Sequence, residues 1–141
     1  MKWKRFFRWL TGIERFEFDK VVLSHQAMRQ ITGFAKRSYP LEFSALLGGE
    51  IKDKALIITH VIYQQFEASE RTAMLHINVP LGENVVGTVH SHPTHNNNPS
   101  SADRRFFDKY GYVNFIIAYP YAGHTIACYD AKGRMIQFDN S

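Results

Sequence analysis

One cysteine, Cys128, is all that the 141-residue chain contains. That excludes an internal disulfide and any zinc site built on a cysteine cluster, and it fits a cytoplasmic location. No stretch approaches the ~18 uninterrupted apolar residues of a membrane-spanning helix. Arg5 and Arg8 break up the apolar residues of the N-terminus, and no small-residue cleavage site follows, so a secretory signal is not expected. There is no internal repeat and no low-complexity tract. Acidic residues are missing from residues 1–10, which hold Lys2, Lys4, Arg5 and Arg8, while the rest of the chain balances 13 basic against 13 acidic residues. The formal net charge of +4 therefore belongs to one end. Without a basic stripe elsewhere, no nucleic-acid partner is expected, and Arg104-Arg105 is read as a solvated helix face.

What is present is enough apolar residue, 45%, to bury the core of a single domain. Two parts are distinguished: a basic, amphipathic segment over residues 1–15 and a domain over 16–141. Trp3, Phe6, Phe7 and Leu10 fall at helical spacing among cations. Such a helix can lie on an anionic membrane surface, dock on a partner, or pack on its own domain.

Hydrophobic periodicity and turn residues then set out the elements. Phe16–Leu23 alternates as a strand. Ser24 caps a helix reaching Ser38, with Met28, Ile31 and Phe34 on its buried side, and Tyr39-Pro40 ends it. Glu42–Ile51 and Ala55–Tyr63 read as strands around a turn at Lys52-Asp53-Lys54. Gln64–Thr72 is polar loop, and Met74–Val79 a short strand. Asn84–His92 is a strand, Thr94–Ser100 a loop rich in Asn and Pro, and Ser101–Lys109 a helix closed near Gly111. Val113–Tyr119 is a buried strand. Thr125–Tyr129 and Arg134–Phe138 flank the hairpin turn Asp130-Ala131-Lys132-Gly133. The expected fold class is α+β: a single curved, mostly antiparallel β-sheet flanked by two helices.

The chemistry concentrates in His90-Ser91-His92-Pro93. On a strand, residues i and i+2 share a face, so the two imidazoles project side by side; on a helix they would diverge. Asp103 follows eleven positions after His92, within reach once the intervening loop folds back. Two histidines and one aspartate are three ligands for a divalent metal, with a fourth position open to water, the arrangement of catalytic zinc. Zinc is the default, and iron or manganese also suit such donors. Read locally, Ser100-x-x-Asp103 is a helix capping box; the two readings are compatible.

Hydrolysis also needs a base. Glu42, Glu50, Glu67, Glu70 and Glu83 are the acids considered, and Glu42 stands out because it opens an otherwise apolar strand after Pro40. Its competing reading is a strand-edge carboxylate facing water. Ser100 offers a hydroxyl to a developing oxyanion. With His95 the histidines read His-x-His-x-x-His, similar to metallo-β-lactamase-like hydrolases, but those have aspartate where this chain has Thr94; His95 is read as a loop residue. His25, His60, His76 and His124 are read as surface or packed histidines.

Glu42, His90-Ser91-His92-Pro93, six residues, Ser100, two residues and Asp103 together resemble the JAMM (MPN+) metalloprotease signature. The approach Val85-Val86-Gly87-Thr88-Val89 and the order of elements from Phe16 to Phe138 are also similar to that family. The resemblance implies one zinc held by His90, His92 and Asp103, with Glu42 as acid/base and Ser100 as oxyanion donor. It also implies a partner class, a ubiquitin-like small modifier protein and its conjugates, cleaved as an isopeptidase or peptidase. Ala45 stands where many relatives have glycine, and the Thr94–Asn98 loop is unusual for the family. The chain lacks long insertions and so resembles the compact prokaryotic form, for which a sulfur-carrier protein is a further candidate substrate. Two other readings are weighed. One is a scaffold that binds ubiquitin-like proteins without cutting them. The other is a cupin-like metal-binding β-barrel, which would want a glutamate soon after His92, where this chain has none.

Overall fold

The computed structural model describes residues 18–62, 81–107 and 112–141. The basic segment 1–15 and the expected loop and strand between Gln64 and Val79 lie outside the described residues. Among the described residues, eight strands form one sheet: β1 (Lys20–Leu23), β2 (Ser44–Lys52), β3 (Ala55–Ile62), β4 (Val85–His92), β5 (Val113–Ala118), β6 (Ile126–Tyr129), β7 (Met135–Ile136) and β8 (Asp139–Asn140). Helix α1 spans His25–Ser38 and helix α2 Ser101–Phe107. Among the described residues the strand order is β7-β6-β5-β4-β2-β3-β1-β8, with no pairing that closes it into the barrel of the cupin reading.

Local chemistry sets the first helix. Ser24 is extended, and its hydroxyl accepts from the Ala27 amide at 3.1 Å, which satisfies one of the free N–H groups of the first turn. Ala27, Ile31 and Ala35 form the buried stripe, while Met28 and Phe34, expected to be buried, are only half-buried at its margin. The small alanines allow α1 to lie close on the sheet, and the larger side chains wedge in from the sides.

The sheet, expected to be mostly antiparallel, is partly mixed. β1 runs parallel to β3 and to β8, and β4 runs parallel to β5; the β2–β3, β2–β4, β5–β6 and β6–β7 pairs are antiparallel. Neighbouring parallel strands cannot be joined by a hairpin and need a crossover. Between β4 and β5 that crossover contains α2, which passes over the face opposite α1. Both faces are consequently covered. Ala45, Leu47, Val89, Phe115 and Ile117 join the core under α1. Leu46, Ile116, Ala127 and Tyr129 face the other way, with Phe107 of α2 closing over them. This is why β5 is buried at every position instead of alternating. The crossover is also what delivers Asp103 to the face carrying the histidines. Gly87 on β4 is required by that parallel pairing, since a Cβ there would lie 2.4 Å from the Val113 carbonyl oxygen.

Candidate metal centre

Along β4, Val89 points to the α1 face, and His90 and His92, at positions of the opposite parity, point to the α2 face. The rings of His90 and His92 lie 5.1 Å apart, centroid to centroid. Asp103, in the first turn of α2, is fully buried and reaches both: His90 Nε2 is 3.0 Å from Oδ1, and His92 Nε2 is 3.2 Å from Oδ2. One donor atom from each of the three residues lies within 4.8 Å of the other two. Phe107, one turn beyond Asp103, sets its ring 6.4 Å from His90 and stacks on Tyr129, so it walls the centre on its inner side. Donors around a tetrahedral ion with bonds of 2.0–2.1 Å stand about 3.3–3.4 Å apart. The observed contacts are near that spacing.

Asp103 also fulfils its local reading. Its Oδ2 accepts from the Ser100 amide at 2.8 Å, and its own amide donates to Ser100 Oγ at 3.1 Å, a reciprocal capping box. The cap aims the carboxylate, because the same bonds that start α2 fix the rotamer facing the histidines. Ser100 itself is exposed, and its hydroxyl hydrogen is left to donate outward.

The tautomer of His92 shows what the centre requires. Its Nδ1 is 2.7 Å from the Asn96 carbonyl oxygen. A carbonyl only accepts, so Nδ1 carries the hydrogen, and in the neutral ring the lone pair sits on Nε2. That lone pair faces a carboxylate oxygen. Two acceptors confront each other unless a cation, proton or metal, lies between them. A ligand histidine whose second nitrogen donates to a backbone carbonyl is the usual supporting arrangement of metal sites. The asparagine-rich loop secures that carbonyl: the Asn98 amide donates to Asn96 Oδ1 at 2.8 Å, Asn97 Nδ2 donates to the Thr125 carbonyl at 2.9 Å, and the Tyr129 hydroxyl donates to the Asn97 carbonyl at 2.7 Å.

Electrostatics agree. Burial opposes charging His92, but hydrogen bonds to Asp103 and the Asn96 carbonyl, with the negative charges of Asp103 and Glu42, outweigh it and raise its pKa. Burial likewise works against ionising Asp103, yet the hydrogen bonds from His90 and His92 hold its carboxyl far below the usual carboxylate range.

Glu42 lies in the extended stretch just ahead of β2, half-buried, rather than inside the strand as expected. Ser44 pairs with His90 across the β2–β4 ladder, and Phe43 meets Ser91 one step on. Continuing that register brings Glu42 opposite His92, in line with its charge acting on that ring. Of the other candidate bases, Glu50 is exposed and Glu83 pairs with His60 at 2.9 Å, while Glu67 and Glu70 lie outside the described residues. His95 is exposed and packs edge-on against Tyr119 at 5.5 Å, outside the donor group. His25 and His124 are exposed and His60 is half-buried, as read; His76 lies outside the described residues. One contributor has no sequence signal, the Asn96 carbonyl, because a backbone acceptor leaves no trace in residue type.

A pH dependence follows for the metal-free chain. The raised pKa of His92 contributes stability that is present below its unfolded value of ~6.5 and is lost as pH rises through the folded value. The depressed Asp103 contributes stability above ~3.9, lost only as pH falls through its folded value. Metal binding needs the deprotonated nitrogen and has the opposite dependence on His92. The rise in Tm on adding zinc should therefore be small at pH ~5.5 and grow toward pH ~8, as scanning calorimetry at several pH values would measure.

The sheet, the helix over its second face and a buried His-His-Asp group define an α+β protein with a metalloprotease-like fold and a potential metal centre. The model of the prokaryotic homologs of the JAB domain matches residues 24–132, most of the chain. The chain belongs to this family and is a compact prokaryotic member of the JAMM/MPN group. It is similar, at 28% identity and a TM-score of 0.67, to a solved structure described as JAMM, a metalloprotease-like zinc site in the proteasome and signalosome; the match covers 87% of this chain and 99% of that one. A JAB1/MPN domain protein from Archaeoglobus fulgidus is also 28% identical, with a TM-score of 0.66 over 87% of this chain and 98% of that one. A protein from Desulfitobacterium hafniense, at 17% identity and a TM-score of 0.56 over 86% of this chain and 92% of that one, shares the fold. No curated protein matches the chain. Among the described residues, no helix is long and apolar enough to cross a membrane.

Proposed function

We propose that this chain is a zinc-dependent isopeptidase or peptidase that hydrolyses the bond after the C-terminal tail of a ubiquitin-like modifier or sulfur-carrier protein. The observation that carries this reading is the convergence of His90 Nε2 and His92 Nε2 on the two oxygens of the buried Asp103 carboxylate, with His92 Nδ1 turned to the Asn96 carbonyl and the Glu42 charge acting on the His92 ring. Two imidazoles and one carboxylate suit zinc, and a similar solved structure is described as a zinc site. The substrate class is the one implied by the likeness of Glu42, His90-Ser91-His92-Pro93, Ser100 and Asp103 to the JAMM signature.

In this reading His90, His92 and Asp103 hold the zinc, which when bound supplies Lewis acidity and acidifies its water toward pKa ~7. Glu42 takes a proton from the attacking water and returns it to the leaving amine, each transfer being of the kind that contributes ~10²–10⁴ in rate. Ser100, with its oxygen fixed by the Asp103 amide, directs its hydroxyl hydrogen to the carbonyl oxygen as negative charge develops there. Phe107 keeps water from the inner side of the centre. The Asn96 carbonyl holds the His92 tautomer throughout.

The test is an assay of the purified full chain against a panel of modifier–lysine and modifier–peptide fusions, with chelator and after zinc is restored. Cleavage at the end of the modifier tail, lost with chelator and regained with zinc, is expected. Tight binding of the fusions by the zinc-loaded chain with no cleavage would replace this reading with that of a scaffold.

A further inference from the structure

Ser91 is fully buried between the two candidate ligands, on the strand face turned away from them. It meets Phe43 twice. The Ser91 amide donates to the Phe43 carbonyl at 2.8 Å, and the Phe43 amide donates to Ser91 Oγ at 2.8 Å. The second bond is unusual in kind. In a regular antiparallel ladder the Phe43 amide would find a backbone carbonyl, but β2 begins only at Ser44, and here a side chain takes that place. The hydroxyl thus extends the pairing of the two chains one residue past the end of the strand. Phe43 is pinned on its other side by its ring, stacked on Phe34 at 5.3 Å. The residue next to Phe43 is Glu42.

We propose that Ser91 is a positioning residue, whose hydroxyl holds the Phe43 backbone so that the Glu42 carboxylate stays beside the His92 ring. This rests on the reading of Glu42 as the acid/base of the reaction. Glu42 lies two residues ahead of β2, and the Ser91 hydroxyl bonds the residue next to it. Without that oxygen the Phe43 amide is a buried donor with no acceptor, and the segment moves outward to reach water. A shift of ~1 Å in a catalytic group is enough to cost about 10²-fold in rate. The metal donors are untouched, because His90 and His92 are set by β4 and by their own partners.

Ser91→Ala in the full, zinc-loaded chain tests this. The expected result is a kcat lower by roughly 10–100-fold, with KM changed by less than about twofold and one zinc still bound. Deuterium exchange at the Phe43 amide should quicken in the same variant, with or without metal. Ser91→Thr, which keeps the hydroxyl, should restore both. Val86→Ala, a cavity in the same strand away from the clamp, separates this from general loosening: it should lower stability and leave kcat in place. Full kcat in Ser91→Ala, or an equal loss in Val86→Ala, overturns the inference alone. Unchanged exchange at Phe43 overturns it whatever the turnover. A wild-type chain that cleaves no fusion instead removes the functional reading beneath it.

Discussion

Glu42→Gln is expected to leave a folded, zinc-loaded protein whose kcat is lower by ~10²–10⁴-fold. Glutamine preserves shape and can still accept a hydrogen bond, but it cannot carry a proton from water to a leaving amine. Because the carboxylate lies outside the donor group of His90, His92 and Asp103, zinc content should stay at one per chain. A second consequence is electrostatic. The negative charge of Glu42 helps raise the His92 pKa, so in the metal-free variant that pKa should fall, visible in an NMR titration of the ring. Undiminished cleavage by Glu42→Gln, measured on the best fusion substrate, would remove Glu42 from the mechanism.

Asp103→Asn should have the largest effect on metal and on stability together. The carboxylate joins three things: the two imidazoles, the start of α2 through the Ser100 amide, and the crossover between β4 and β5. Even an outer partner of a metal ligand is worth about 10–100-fold in affinity, so loss of an anionic ligand should weaken zinc binding by more than ~10²-fold. The metal-free chain suffers as well. Asparagine cannot pair with a charged His92 as a carboxylate does, and breaking a buried pair on one side costs about 3–5 kcal/mol. Urea denaturation of the metal-free variant against the metal-free parent measures that loss; zinc titration of the two measures the first. A variant with parental zinc affinity would show that Asp103 serves only as a helix cap.

The centre was largely legible because each of its signals is local or periodic. His90 and His92 share a face for the same reason any i, i+2 pair on a strand does, and Ser100-x-x-Asp103 marks a helix start whichever role the aspartate has. The direction of the strands was not legible. That β4 and β5 are parallel depends on a crossover over the second face, and β5, apolar except for Asn114 and buried on both sides, reads as a central strand without showing which way its neighbours run. Glu42 was recognisable by type and by its place after Pro40, but its position just outside β2 rests on the Ser91 hydroxyl standing in for a carbonyl. No residue pattern announces that substitution. The asparagines of the 94–98 loop, unusual for the family, tie the loop to itself, to Thr125 and to Tyr129, and so steady the Asn96 carbonyl behind His92.

The central claim is that one zinc ion sits among His90, His92 and Asp103. Crystals of the zinc-replete chain, measured on both sides of the zinc absorption edge, test it most directly. A single anomalous peak within bonding distance of both Nε2 atoms and an Asp103 oxygen, with Glu42 outside that shell, is the predicted result. No peak there, or a peak only at another group of side chains, would contradict it.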